Sequence, residues 1–124
     1  MERRAGLRWN LEESKGVPEA VCLFDVVPPI EGVVKNISLG GFCVVIRGIS
    51  RLQIEALSRG RQCFVTIRFG DEAIIASARV VWMDERTQSD VTEYMGGLAI
   101  EVMSSEERLK LASLIARMRG GGAR

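Results

Sequence analysis

Histidine is missing from the 124 residues of this chain. The side chain that most often moves protons near neutral pH, and most often holds a transition metal, is therefore unavailable. Cysteine is scarce. Cys22, Cys43 and Cys63 lie about twenty residues apart, with no CxxC pair. A zinc site would need three distant thiolates and a carboxylate, which argues against a metal. The cysteines read instead as small hydrophobes inside strands. No Ser or Cys has an evident base beside it, and no spacing signals a carboxylate pair, so no catalytic role is expected.

Long apolar runs are also missing. Nothing approaches the roughly 18–20 residues of a membrane span. The basic N-terminus is followed by Trp9-Asn10-Leu11-Glu12-Glu13 rather than by a signal-type apolar region. The expected location is cytoplasmic, without a membrane partner. Net charge is only +1, whereas bulk nucleic-acid binding calls for a strongly basic face. One Tyr, two Trp and four Phe give little for a single-stranded nucleic-acid platform. Lysine is rare at 3 residues against 14 arginines. The planar arginine fork suits phosphate and the guanine edge, where lysine acts as a point charge.

What is present suits one domain with a core of its own. Residues 1–16 are polar and read as an arm. Short apolar runs follow: Ala20–Val26, Gly32–Ile37, Gly41–Ile46, Arg61–Phe69, Ala73–Met83 and Gly97–Val102. Alternation puts Cys63, Val65, Ile67 and Phe69 on one face. It puts Ile74, Ala76, Ala78, Val80 and Trp82 on another, and Leu98, Ile100 and Val102 on a third. Ser50–Ser58 reads as a short helical connection ended by Gly60, Gly70-Asp71 as a hairpin turn, and residues 84–93 as a polar loop. Ser104-Ser-Glu-Glu107 is a capping box in which Glu107 reaches back to the cap. It opens an amphipathic helix with Leu111, Ala112, Leu114, Ile115 and Met118 on its apolar stripe. Gly120-Gly121-Gly122 is expected to end that helix. Closely spaced strands before a single helix predict an all-β-dominated, six-stranded antiparallel barrel over 17–119, with the helix covering an end or side. Residues 120–124 are expected to form a flexible tail.

Two clusters carry chemistry. Arg3, Arg4 and Arg8 place guanidinium groups on the arm. Asn36-Ile37-Ser38-Leu39-Gly40-Gly41 offers an amide, a hydroxyl and bare backbone at a turn between strands. Arg4-x-x-x-Arg8 followed by Asn36-x-Ser38-x-x-Gly41 resembles the paired RxxxR and [D/N]xSxxG signature of PilZ domains. Ala78–Trp82 is similar to that family's penultimate strand, and Gly97–Val102 with the Ser-Ser-Glu-Glu helix start to its closing segment. The resemblance runs in order along nearly the whole chain.

The resemblance implies a six-stranded barrel with a C-terminal helix, and the ligand cyclic di-GMP with no further cofactor. Arg4 and Arg8 then bond phosphate or guanine O6 and N7. Asn36 faces a guanine Watson–Crick edge; where an Asp accepts from N1–H and N2–H together, Asn accepts with its carbonyl oxygen alone. Ser38 supplies a hydroxyl to the ligand or to the turn. Gly41, with Gly40, leaves room where a Cβ clashes. Arg3, directly before the motif, goes with two stacked ligands per protomer rather than one. Trp82 flanks the bound base or fills the barrel rim. The implied mechanism is an arm that is mobile without ligand and orders on binding, changing the surface offered to an unidentified effector protein. The wide stripe of the C-terminal helix allows a monomer or a weak homodimer. The alternative is a nucleotide-independent adaptor acting through protein contacts.

Overall fold

Apolar alternation builds a closed sheet. The computed structural model describes residues 9–10, 20–88 and 91–122. Its strands are β1 (Trp9–Asn10), β2 (Ala20–Phe24), β3 (Ile30–Ile37), β4 (Gly41–Arg47), β5 (Gln62–Phe69), β6 (Glu72–Gln88) and β7 (Val91–Val102). Neighbours run β3-β2-β5-β6-β7-β4, and β4 pairs back onto β3 to close six antiparallel strands into a barrel. This is the expected fold. β1 is an addition to it. β2 pairs with β3 only as far as Ala20↔Val34, and β1 takes up the freed edge through Trp9↔Ile37 and Asn10↔Asn36. The segment read as a plain arm therefore contributes a bridge to the barrel.

Phe24, Ile37, Phe42, Ile46, Ile67, Ile74 and Leu98 fill the interior. Each buried side chain of this size contributes about 1.5–3 kcal/mol. After β4, Ser50 caps α1 (Arg51–Ile54) through the Gln53 N–H, and Gln53 returns the bond to Ser50. A 3-10 turn (Glu55–Leu57) continues it and Gly60, at φ 89°, ends the connection. Ile54 and Leu57 close one end of the core, and Leu111, Leu114 and Ile115 of α2 (Ser105–Gly122) close the other.

Several expectations need correction. Residues 84–88 and 91–93 are strand, not loop: Asp84↔Met95, Arg86↔Glu93 and Gln88↔Val91 carry the β6–β7 pairing past the core. Apolar alternation stops where the interior stops, but backbone pairing does not need it. Ion pairs Arg47–Glu93 (2.8 Å) and Arg51–Glu85 (3.1 Å) hold this ribbon to β4 and α1. Trp82 does not share a face with Ile74, Ala76, Ala78 and Val80. A bulge between Val80 and Trp82 makes Val81 an extra residue and reverses the phase. A second irregularity, where Ser77↔Val102 and Ala78↔Ile100 leave Glu101 over, turns Val102 outward to 65% exposure. The helix takes in Gly120–Gly122 instead of ending before them. Glycine weakens a helix by about 1 kcal/mol per residue but does not forbid it.

The capping box is half formed. Ser104 Oγ accepts from the Glu107 N–H at 3.1 Å, but the Glu107 carboxylate turns to the sheet. β7 pairs with β6 only from Ser77 onward, so among the described residues the β6 edge at 72–76 has no strand beside it there. Glu107 accepts from the Ile75 N–H at 2.9 Å, and Lys110 donates to the Ala73 carbonyl at 3.1 Å while pairing with Glu107 at 3.0 Å. Two helix side chains thus satisfy an open strand edge.

The Ile75 N–H, and then Lys110, hold the Glu107 carboxyl below its ordinary range. Arg79 and Gln62 do the same for Glu101. Because the folded pKa is the lower one, this stabilisation is complete above the usual carboxylate range and is lost as pH falls through the folded values. Urea unfolding from pH 7 down to pH 3 (about the range where carboxylates titrate) should show a falling midpoint. Glu107→Ala should cost about 1 kcal/mol at neutral pH and make that fall shallower. A variant whose pH profile parallels the parent's would show that the latch contributes nothing.

Candidate functional site

The register brings four distant residues into one row. Asn36 pairs with Cys43, Cys43 with Gly97, and Gly97 with Trp82. The neighbouring residues Val44 and Leu98 belong to the core, so this row faces outward. Asn36 and Trp82 stand at its ends, three strand spacings or about 14 Å apart. Cys43 and Gly97 between them form a low floor. A Cβ on Gly97 would run into the Trp82 indole, at 2.8 Å from Cε2, so the ring lies across the glycine. Of the two positions allowed for Trp82, the outward one is observed.

The turn from β3 to β4 explains the rest of the second cluster. Ser38 is fully buried. Its N–H donates to the Gly41 carbonyl at 2.8 Å, and its hydroxyl donates to the same oxygen at 3.3 Å. The Gly40 N–H donates to Ser38 Oγ at 3.3 Å. Ser38 thus serves the turn, and through it the position of Asn36. The Gly40 carbonyl accepts from the Ile100 N–H at 2.9 Å, which ties the exposed turn to β7. At Gly41 a Cβ would collide with the Leu98 carbonyl of the paired strand. Glycine is required there by the barrel's own backbone. Arg3, Arg4 and Arg8 lie outside the described residues.

Beside the row opens a cleft of about 330 Å³. Cys43 and Val45 floor it, and Lys35, Asn36, Arg47, Arg86, Glu93 and Met95 surround them. Lys35 occupies the irregularity between Val34 and Asn36 in the β3–β4 pairing. Arg47 Nε donates to Glu93 Oε1 at 2.8 Å, and Arg86 Nη1 to Met95 Sδ at 3.2 Å. Sequence reading singled out Asn36 but missed Lys35, Arg47, Arg86, Glu93 and Met95. They are spread over some sixty positions, and Arg86 and Glu93 fall in the stretch taken for a loop. No local signal marked them, since residues 85–90, Glu-Arg-Thr-Gln-Ser-Asp, hold no apolar residue to alternate.

Burial, and then the charge of Cys63, raise the Cys22 thiol well above its ordinary range; burial and then Asp25 raise that of Cys63. Both remain protonated and behave as hydrophobes. Among the described residues no cluster could hold a metal ion, and no helix is long and apolar enough to cross a membrane.

Gly41→Ala should destabilise the fold by about 1–3 kcal/mol, because the carbonyl it meets belongs to a paired strand that cannot move aside cheaply. Urea titration measures this directly. Stability within a few tenths of a kcal/mol of the parent would remove the Leu98 carbonyl as the reason for glycine.

Solved structures of low sequence identity share this fold. The PilZ domain of YcgR from Escherichia coli, with c-di-GMP, is 16% identical at TM-score 0.74, covering 95% of this chain and 92% of that one. The Bacillus subtilis inhibitor of motility MotI/DgrA is 19% identical at TM-score 0.72, covering 100% and 55%. The K. pneumonia MrkH–c-di-GMP complex is 15% identical at TM-score 0.72, covering 94% and 52%. This chain spans about half the length of the latter two. No curated protein matches it in sequence. The family model described as PilZ domain matches residues 2–117, which with the barrel, the Asn36–Gly41 turn and the C-terminal helix makes this chain a member of the PilZ domain family.

Proposed function

We propose that this PilZ domain is a non-enzymatic receptor for cyclic di-GMP. The observation that carries the reading is the outward row from Asn36 to Trp82, with β1 alongside it. Trp9 pairs with Ile37, one residue from Ser38, and Arg8 is peptide-bonded to Trp9. Consecutive Cα atoms are about 3.8 Å apart, so the arginine-bearing segment starts beside the turn. Family membership supports the same ligand. So do the c-di-GMP-bound YcgR and MrkH structures, whose barrels resemble this one.

Each group has a distinct task. Arg4 and Arg8 neutralise the phosphodiester charges with bidentate, charge-assisted bonds. The Asn36 carbonyl oxygen accepts from the guanine edge. The Trp82 indole, lying against Gly97, offers an aromatic surface to a base. Ser38, Gly40 and Gly41 hold the floor rigid and leave the specific contacts to their neighbours. Binding folds the arginine segment over the row. The surface so changed is read by a partner protein, since a ligand-binding barrel carries no output chemistry of its own. Arg3 adds a third guanidinium and favours two stacked ligands over one. The proposed setting is the cytoplasm, with the protein a monomer or a weak homodimer.

Calorimetric titration with cyclic di-GMP tests this. Arg4→Ala and Arg8→Ala should each remove most of the binding, by about tenfold or more. Arg3→Ala should lower the number of ligands bound from two to one. Unchanged affinity in both the Arg4 and Arg8 variants would sink the clamp mechanism.

A further inference from the structure

Arg86, Glu93 and Met95 line the cleft beside Asn36, on the outer face of the β6–β7 ribbon. Alternation turns Met83, Glu85 and Tyr94 to the opposite face, toward α1 and the 3-10 turn. A second cleft, of about 320 Å³, opens between them, with Arg51, Ile54, Glu55 and Arg59 on its other wall. Ile54 and Tyr94 belong to the buried core, and Met83 packs against that core with its thioether on Gly96, so the floor is apolar.

Tyr94 supplies the one discordant atom. The residue is only 5% exposed, yet among the described residues its hydroxyl has no hydrogen-bond partner. Buried phenols ordinarily find one, so the missing partner has to come from what enters the cleft. The rim adds charge of both signs. Arg51 and Glu85 neutralise each other at 3.1 Å. Glu55 and Arg59 are exposed and, among the described residues, form no ion pair, not even with each other. One free anion and one free cation above an apolar floor complement a zwitterion that carries an apolar group. Ligand pockets begin at about 300 Å³, so a cleft of this size suits a small metabolite and not a dinucleotide.

We propose that this cleft binds a free amino acid with a large apolar side chain. That side chain lies on Ile54 and Met83. The carboxylate accepts from Arg59 and from the Tyr94 hydroxyl, and the ammonium donates to Glu55. The site stands across the ribbon from the Asn36–Trp82 row and does not depend on the receptor reading.

Calorimetric titration with L-leucine, L-methionine and L-phenylalanine tests this. The amide of the tightest binder, which lacks the carboxylate, and its deaminated acid, which lacks the ammonium, probe the two charges. Each should bind about tenfold more weakly than the amino acid itself. Arg59→Gln and Glu55→Gln should each weaken binding of the amino acid by a similar factor. Tyr94→Phe should weaken it about threefold or more, yet melt without ligand at or above the parent's temperature, because it removes a buried hydroxyl that lacks a partner. No binding by any of these amino acids up to millimolar concentration, or unchanged affinity in all these variants, overturns the site. A Tyr94→Phe protein that melts well below the parent would show that the hydroxyl serves the fold, and would overturn it too.

Discussion

Closure fixes the register of this barrel. β3 is bonded on one side to β2 and β4 is bonded on one side to β7, and the two pair with each other, so no strand can slip without breaking a ladder elsewhere. A slip of one residue would exchange the inner and outer faces of a strand. The row from Asn36 through Cys43 and Gly97 to Trp82 exists only because four strands keep their phase at once. The interior pays for nothing on the outer face directly. It holds the phase, and the phase assembles the site.

Irregularities are then used to aim side chains. The extra residue Val81 turns Trp82 from the core to the surface without ending the strand. The irregularity at Lys35 does the same beside Asn36, and puts a cation at the mouth of the cleft. Both lie within one four-strand face. Elsewhere the barrel spends its polar groups on closure. Ser38 and Gly40 fasten the β3–β4 turn, and Glu107 and Lys110 seal the edge that β7 leaves open on β6.

Much of the fold was legible because core burial writes a period of two into the sequence. Val65, Ile67, Ile74, Ala76, Ala78 and Val80 alternate and are buried as the alternation requires. The Asn36–Gly41 cluster was legible for a different reason: a tight turn against a neighbouring strand restricts which residues fit. What alternation cannot show is a bulge, since Val81 is as apolar as its neighbours. It also cannot show a ribbon that carries on past the apolar core, such as 84–88 with 91–93, where pairing persists without apolar alternation. The cleft cations were illegible because Lys35, Arg47 and Arg86 meet only through the register. Glu107 read as a cap residue because sequence shows its distance from Ser104 and not the unpaired Ile75 N–H that competes for it.

The chain has two tryptophans. Trp9 stands in β1, paired with Ile37, and Trp82 lies against Gly97 on the outer row. The Trp82 indole is thus a chromophore placed on the outer row itself. Its share of the emission reports on that face, so the row carries an optical reporter of its own, with no dye and no engineered label.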